Sequence, residues 1–457
     1  MNFLVKSLSK IILSISLLLL IYIFYKSEIY WNSSKRDYYF VYYLVTSILL
    51  FFSFISLYFN RIIKEYLIII IFSFFFGLYF FEIYLSFFNQ PLHEKRYEKQ
   101  FKKKWDKRTK LEVFKDLKKE GKKVTVTTSP NYLLNKNYNE NLNILTLSGI
   151  SNAETIYCNE NGYYSIYKSD RYGFNNPDYE WDKKEIDFLL VGDSFVHGAC
   201  VNRPNDISSV LRTKYNKSVL NLGYGGNDSL LQYATLREYQ NLNVKKVIWF
   251  FYEGNDLDEK TMMYYKKGIL NKYIQDLKFS QNLKSRQNEI NNFIENEIIL
   301  MMNKKSLEIE KINKIEKINK KKKFTYLLKL SQIRSLFHSF QPNKYRPSYE
   351  EKYNSQKLEE FKHILSLTKK LVNEKNSKLY FVYLPELERY IFNYKNPNYE
   401  FVRNIISELK IPFLDIHKEV FEKEENPINL FPSNKFGHYN SKGYRKIAQT
   451  VYKFIRD

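Results

Sequence analysis

Cysteine is nearly absent. The 457 residues hold two, Cys158 and Cys200, and neither belongs to a Cys-x-x-Cys pair. A zinc ribbon or a thioredoxin-type motif is excluded, and no metal is expected. The two thiols fit one disulfide in a domain outside the cytosol, or two unrelated buried thiols. Acidic residues are outnumbered: 49 Asp and Glu stand against 72 Lys and Arg, a formal net charge of +23. Such an excess suits a nucleic acid, a membrane surface or an acidic polymer as partner. It equally suits compositional drift, because Lys, Asn, Ile, Tyr and Phe are abundant throughout. Zinc-finger spacing, RNP-like strings and arginine-rich arms are missing, so nucleic acid is not an expected partner. Missing too is a small-residue cleavage site after the first apolar stretch, where Tyr-Lys-Ser-Glu-Ile-Tyr-Trp follows. That stretch reads as a membrane span rather than a signal peptide.

Three apolar segments crowd the first 90 residues: Ile11–Tyr25 with its flanks, Tyr39–Phe59 and Tyr66–Phe88. The latter two are each long enough to cross a hydrocarbon core, and Tyr and Trp at segment ends suit interfacial anchoring. A multi-pass membrane protein is expected, with a membrane region at 1–90 and a basic juxtamembrane segment and collar at 91–183. Lys95 to Lys123 carries 14 basic against 5 acidic residues. By the positive-inside rule it would hold the large domain in the cytoplasm, but the rule weakens for long translocated domains. A disulfide would argue the reverse, and the extracytoplasmic side is favoured. The aromatic stretch Gly162–Asp178 reads as an ordered collar, with a glycan-stacking surface as the alternative.

From 184 to 457 strands alternate with helices. Ile186–Val191, Ser218–Leu222, Val244–Tyr252, Lys378–Leu384 and Ile411–Ile416 read as strands. Asp206–Tyr215, Ser229–Asn241, Lys357–Asn373, Tyr399–Leu409 and Ser441–Ile455 read as helices. This alternation indicates an α/β domain with a parallel sheet covered on both faces. An insertion at about 257–347 interrupts it, with Ile309, Ile312, Ile315 and Ile318 on one helical face. It reads as a helical hairpin packed on the domain, or as a lid.

Polar residues gather at the strand ends. Gly192-Asp193-Ser194 follows the first strand, and Asn221 to Asn227, with glycines at 223, 225 and 226, ends the second. Gly254-Asn255-Asp256 follows the third, and Gly437-His438-Tyr439-Asn440 precedes the last helix. One sheet edge would thus collect a hydroxyl, glycine N–H groups, a carboxamide and an imidazole. These are the parts of acyl transfer: Ser194 as nucleophile, His438 as general base, and the N–H groups of Ser194 and Gly226 with the Asn255 amide as oxyanion hole. Asp193 and Asp256 would support the loops. His197 would face away or line the rim. A helix starting at Ser194 would add its dipole.

In these blocks the chain resembles the SGNH/GDSL hydrolase superfamily, over roughly Lys184 to Asp457. The resemblance implies a three-layer α/β/α flavodoxin-like fold and serine ester hydrolysis without metal or cofactor. The α/β-hydrolase elbow fits worse, because Val196 stands where Gly-x-Ser-x-Gly wants glycine. One departure is visible: the family's Asp three residues before the His is here Lys435. Either a backbone carbonyl completes a dyad, or Asn434, Glu386 or Asp415 orients the imidazole. The expected substrate is an acylated small molecule, envelope glycan or lipid. Two alternatives stand beside hydrolysis. One is an O-acyltransferase using the same site, which would need an acyl-donor partner protein. The other is a degenerate SGNH-fold binding protein.

Overall fold

The computed structural model describes residues 2–30, 33, 36–88, 92–136, 144–240, 243–257, 268–318, 327–334, 355–392, 395–434 and 436–456. The chain divides into two compact units, residues 1–89 with 315–341, and residues 90–314 with 342–457.

The first unit is built on α1 (Asn2–Phe24), α2 (Arg36–Ser56) and α3 (Arg61–Phe88). Each contributes a stretch long and apolar enough to cross a membrane: Ser7–Tyr30, Tyr39–Ser56 and Arg61–Ser86. Large apolar side chains point outward, Leu18 at 65% and Phe72 at 71% exposure, as suits a surface solvated by hydrocarbon. Ser9 Oγ donates to the Ser56 carbonyl at 2.8 Å and ties α1 to α2. A carboxylate is costly in such a setting unless it is paired. Glu82 of α3 is buried and accepts the backbone N–H groups of Gln332 and Ile333 at 2.8 and 2.9 Å. Part of the insertion therefore packs within this unit. The side chains of Ile309 to Ile318 lie outside the described residues, so the face read from their spacing is not placed.

The second unit opens with α4 (Leu92–Phe101) and a helix at Lys110–Lys119 started by a Thr109–Glu112 capping box. A small sheet follows, β1 (Val124–Val126), β2 (Glu154–Ile156) and β3 (Ile166–Lys168). These three-residue strands carry too little periodicity to be read from sequence. The Gly162–Asp178 stretch, read from the sequence as a collar, carries a buried hydrogen-bonding centre. Asp170 is fully buried and accepts from the Trp181 indole at 2.7 Å and the Asn176 amide at 2.9 Å.

The large sheet holds β4 (Glu185–Val191), β5 (Val219–Asn221), β6 (Asn243–Tyr252), β7 (Lys378–Leu384) and β8 (Phe413–Asp415). All neighbours are parallel and the order is β5-β4-β6-β7-β8. Counted along the chain this is 2-1-3-4-5, the flavodoxin-like order. Alternate side chains feed two cores. Val247, Trp249 and Phe251 of β6 pack with the helices Ser229–Tyr239, Ser355–Glu374 and Tyr399–Glu408. Ile248, Phe250 and Tyr252 pack with Ile207–Tyr215 and Ser441–Ile455 on the other face. The fold class expected from the strand–helix alternation is the one observed: α/β/α with a parallel sheet, preceded by three long apolar helices.

Order reverses between β4 and β6, so their carboxyl ends flank the crevice where such sheets bind ligands. The turn after β6 is clamped from both sides. Glu253 is buried and paired with Arg389, and it also accepts from Tyr383 Oη at 2.7 Å and the Glu386 N–H at 2.9 Å. Asp256 accepts the Tyr252 N–H at 2.9 Å. Replacing Arg389 with Ala leaves Glu253 buried without its countercharge, so we expect a loss of about 3–5 kcal/mol in denaturant unfolding of the solubilised chain. A loss within ~0.5 kcal/mol, usual for surface sites, would contradict the clamp.

Candidate active site

Ser194 opens a single helical turn, Ser194–His197, directly after β4. Asp193 caps it by accepting the Phe195 N–H at 2.9 Å. One turn carries little macrodipole, so the dipole expected at Ser194 is a minor influence. Close packing forces the turn's approach. A methyl group on Gly223 would sit 2.6 Å from Val196 Cβ and 2.7 Å from the His197 nitrogen. Along Val191–Cys200 only Ser194 is left partly exposed.

His438 arrives on the loop before the helix Ser441–Ile455. Asn440 caps that helix, accepting the N–H groups of Lys442 and Gly443 at 3.0 Å each. Tyr439 Oη donates to the Pro385 carbonyl at 2.6 Å and pins the loop. His438 Nε2 thereby lies 2.9 Å from Ser194 Oγ. The other ring nitrogen does not meet the groups expected of it. Asp415 accepts from Tyr399 Oη at 2.6 Å, and Asn434 is exposed. Lys435 lies outside the described residues. The partner is Glu160, from the collar. Its Oε1 is 2.8 Å from His438 Nδ1, and its Oε2 accepts the His438 backbone N–H at 3.3 Å.

This carboxylate fixes the tautomer. Nδ1 carries the proton and donates to Glu160, so the Nε2 lone pair faces the Ser194 hydroxyl. The side chains of His438 and Glu160 are 25% and 19% exposed. Burial disfavours the charged imidazole, but Glu160 beside it, with Asp193 further off, more than offsets this and holds its pKa above the ordinary value.

A disulfide sets Glu160 in place. Cys158 and Cys200 are joined, linking the collar to the loop just beyond Ser194. Asn161 Nδ2 donates to the Cys200 carbonyl at 2.9 Å, and Cys200 Sγ lies 3.9 Å from His438 Nδ1. One clue to Glu160 was present in the sequence: it sits two residues after Cys158, while Cys200 sits six after Ser194.

The loops after β5 and β6 flank the one bearing Ser194. Gly226 is exposed with φ +80°, and a side chain there would collide with the Ser129 hydroxyl, another collar group not singled out beforehand. Asn255 is exposed in its turn. No hydrogen bond joins either of them to Ser194 among the described residues. His197 does not line the rim. It is fully buried, accepts the Gly225 N–H on Nδ1 at 3.1 Å and donates from Nε2 to Tyr167 Oη at 2.7 Å. Burial pushes its pKa down to about 3, so it stays neutral and holds the glycine loop. Asp193 and Asp256 are both buried, which raises both carboxyls, and each repels charge on the other. Among the described residues, Glu160, Cys200 and His438 form the one cluster of metal-ligand type. Its thiol is spent on the disulfide and its imidazole on Ser194, so the set does not suit a metal.

No protein-family model and no curated protein matches the chain. Among solved structures it is similar to a G-D-S-L family protein from Desulfitobacterium hafniense, described as lipolytic, at 12% identity and a TM-score of 0.30. The match covers 60% of this chain and 100% of that one, and a likeness this slight carries no argument.

A base acts in its neutral form, so reaction of Ser194 with a fluorophosphonate should slow as pH falls through the raised pKa of His438. In Glu160→Gln the acid limb should move to lower pH, with the plateau rate down about 10²–10⁴-fold. An unmoved limb would remove Glu160 from the relay. Reducing the disulfide, or replacing both cysteines with Ser, should lower the plateau on the order of 10²-fold through misplacement of Glu160. Labelling at the oxidised rate after complete reduction would show that the tie is dispensable.

Proposed function

We propose that this chain is a membrane-anchored serine ester hydrolase of SGNH/GDSL type, acting on an acylated envelope glycan or lipid. One observation carries the reading: the hydrogen-bonded line Glu160–His438–Ser194, set at the carboxyl end of β4 beside the switch point of the sheet. Ser194 Oγ attacks the ester carbonyl while His438 Nε2 takes its proton. The resulting imidazolium is held by Glu160, which remains ionised. Negative charge on the carbonyl oxygen is received by the N–H groups of Ser194 and Gly226 and by the Asn255 amide. Collapse expels the alcohol, which takes the proton from His438 and leaves an acyl-serine. Water, deprotonated by the same imidazole, then releases the acid and regenerates Ser194.

The disulfide supports an extracytoplasmic position for the α/β unit, since cytosolic thiols are kept reduced. The three apolar helices support multi-pass anchoring.

Solubilised wild type should be labelled by a fluorophosphonate, and Ser194→Ala should not. His438→Ala should react at least about 10²-fold more slowly while keeping its unfolding midpoint. Labelling of Ser194→Ala equal to wild type would sink the mechanism. Product analysis with an acetylated glycan and a second glycan as acceptor distinguishes release of free acid from transfer to a hydroxyl.

A further inference from the structure

A cavity of about 1170 Å³ is lined by Arg96, Lys99, Lys103 and Lys442, and among the described residues no carboxylate lines it. Lys442 is shared with Glu424 at 3.1 Å, and Arg96 Nη1 donates to the Ser433 carbonyl at 3.3 Å. Among the described residues Lys99 and Lys103 meet no acidic group and are exposed. Like charges left unpaired around a concave surface raise the local potential and favour an anion.

Helix α4, which brings Arg96 and Lys99, is seated on both arms of the site, and Lys103 follows two residues after its end. Tyr97 is buried against Gly162, where a side chain would collide with its ring, two residues beyond Glu160. His93 and Trp105 pack on Phe436, two residues before His438, with ring centroids 5.3 and 6.1 Å apart. The cavity wall also includes Asn161, next to Glu160, and Asn440, two residues past His438. A group bound in the cavity is thus held by the segments that position the acid–base pair.

We infer that this cavity binds an anionic head group, a phosphate or carboxylate, carried by the acylated substrate. The inference rests on ester chemistry at Ser194 and names the class of molecule that the site takes. The shared chemistry is the anion, and its source is either a sugar phosphate or a phospholipid head group. The basic stretch after the third apolar helix then has a task beyond general attraction to a membrane.

The test uses the full chain with Ser194→Ala in neutral detergent, so that binding is read without turnover. Glucose 6-phosphate and short-chain phosphatidylglycerol are the anionic probes, and glucose and short-chain phosphatidylcholine the controls. At least one anionic probe should bind more tightly than its control, and added salt should weaken it. Lys99→Gln with Lys103→Gln should weaken it roughly 10- to 30-fold. Binding of the sugar phosphate alone assigns a glycan source, and of the phospholipid alone a lipid source. Failure of both, or affinity unchanged in the lysine variant, overturns the inference. Made in the chain that retains Ser194, the lysine variant should keep its rate with p-nitrophenyl acetate and its fluorophosphonate labelling. Loss of both there, with folding intact, would mean the lysines serve the chemistry itself, contrary to the inference. Absence of labelling in wild type would count against ester chemistry and leave the binding result to stand by itself.

Discussion

Glu160 reaches His438 from a segment that precedes the large sheet, and the geometry of the site depends on that reach. An imidazole without an oriented partner can adopt either tautomer and rotate about its side-chain bonds. With its Nδ1–H and its backbone N–H both held by one carboxylate, His438 presents a lone pair to Ser194 and little else. The disulfide from Cys158 to Cys200 makes this durable, since it joins Glu160's segment to the loop that leaves Ser194. Collar, helical turn and histidine loop are three separate stretches of chain, and they meet at one carboxylate.

Behind this line the sheet edge is stiffened by buried charge and buried imidazole. Glu253 with Arg389 and Asp256 with the Tyr252 N–H hold the turn that carries Asn255. His197, neutral because it is buried, holds the glycine loop through Gly225. Asp228, pushed up to about 7 by burial, caps the helix after that loop through the N–H groups of Leu230 and Leu231. Buried polar groups of this kind cost free energy unless fully paired. Here each accepts a hydrogen bond or joins an ion pair, and together they hold the loops that flank Ser194.

Much of the fold was legible. Lys378–Leu384 is a strand with the boundaries read from the sequence, and Val244–Tyr252 gains only Asn243 at its start. These runs are continuous and apolar because both faces of the sheet are covered, so their signal is strong. The three apolar helices were visible for a similar reason: hydrocarbon demands long unbroken stretches. Strands β1 to β3 were not visible, since three residues show no period. Ser194 and His438, picked out because they stand where a strand ends and where the last helix begins, come within 2.9 Å of each other.

By itself the sequence determined the strand and helix alternation, the apolar spans and the placing of Ser194, Gly226, Asn255 and His438 at element ends. These are local properties, written in periodicity and in residues that break it. Only the tertiary structure decided what orients His438. Position 435 holds Lys, and the carboxylate on His438 comes from Glu160, 278 residues upstream of it. It also decided that His197 is buried rather than at the rim, and that residues 327–334 of the insertion pack with α3 through Glu82. The physical reason is the same in each case. A hydrogen bond across such a separation is set by where two rigid elements bring their side chains, and neither end carries any mark of the other in its own neighbourhood.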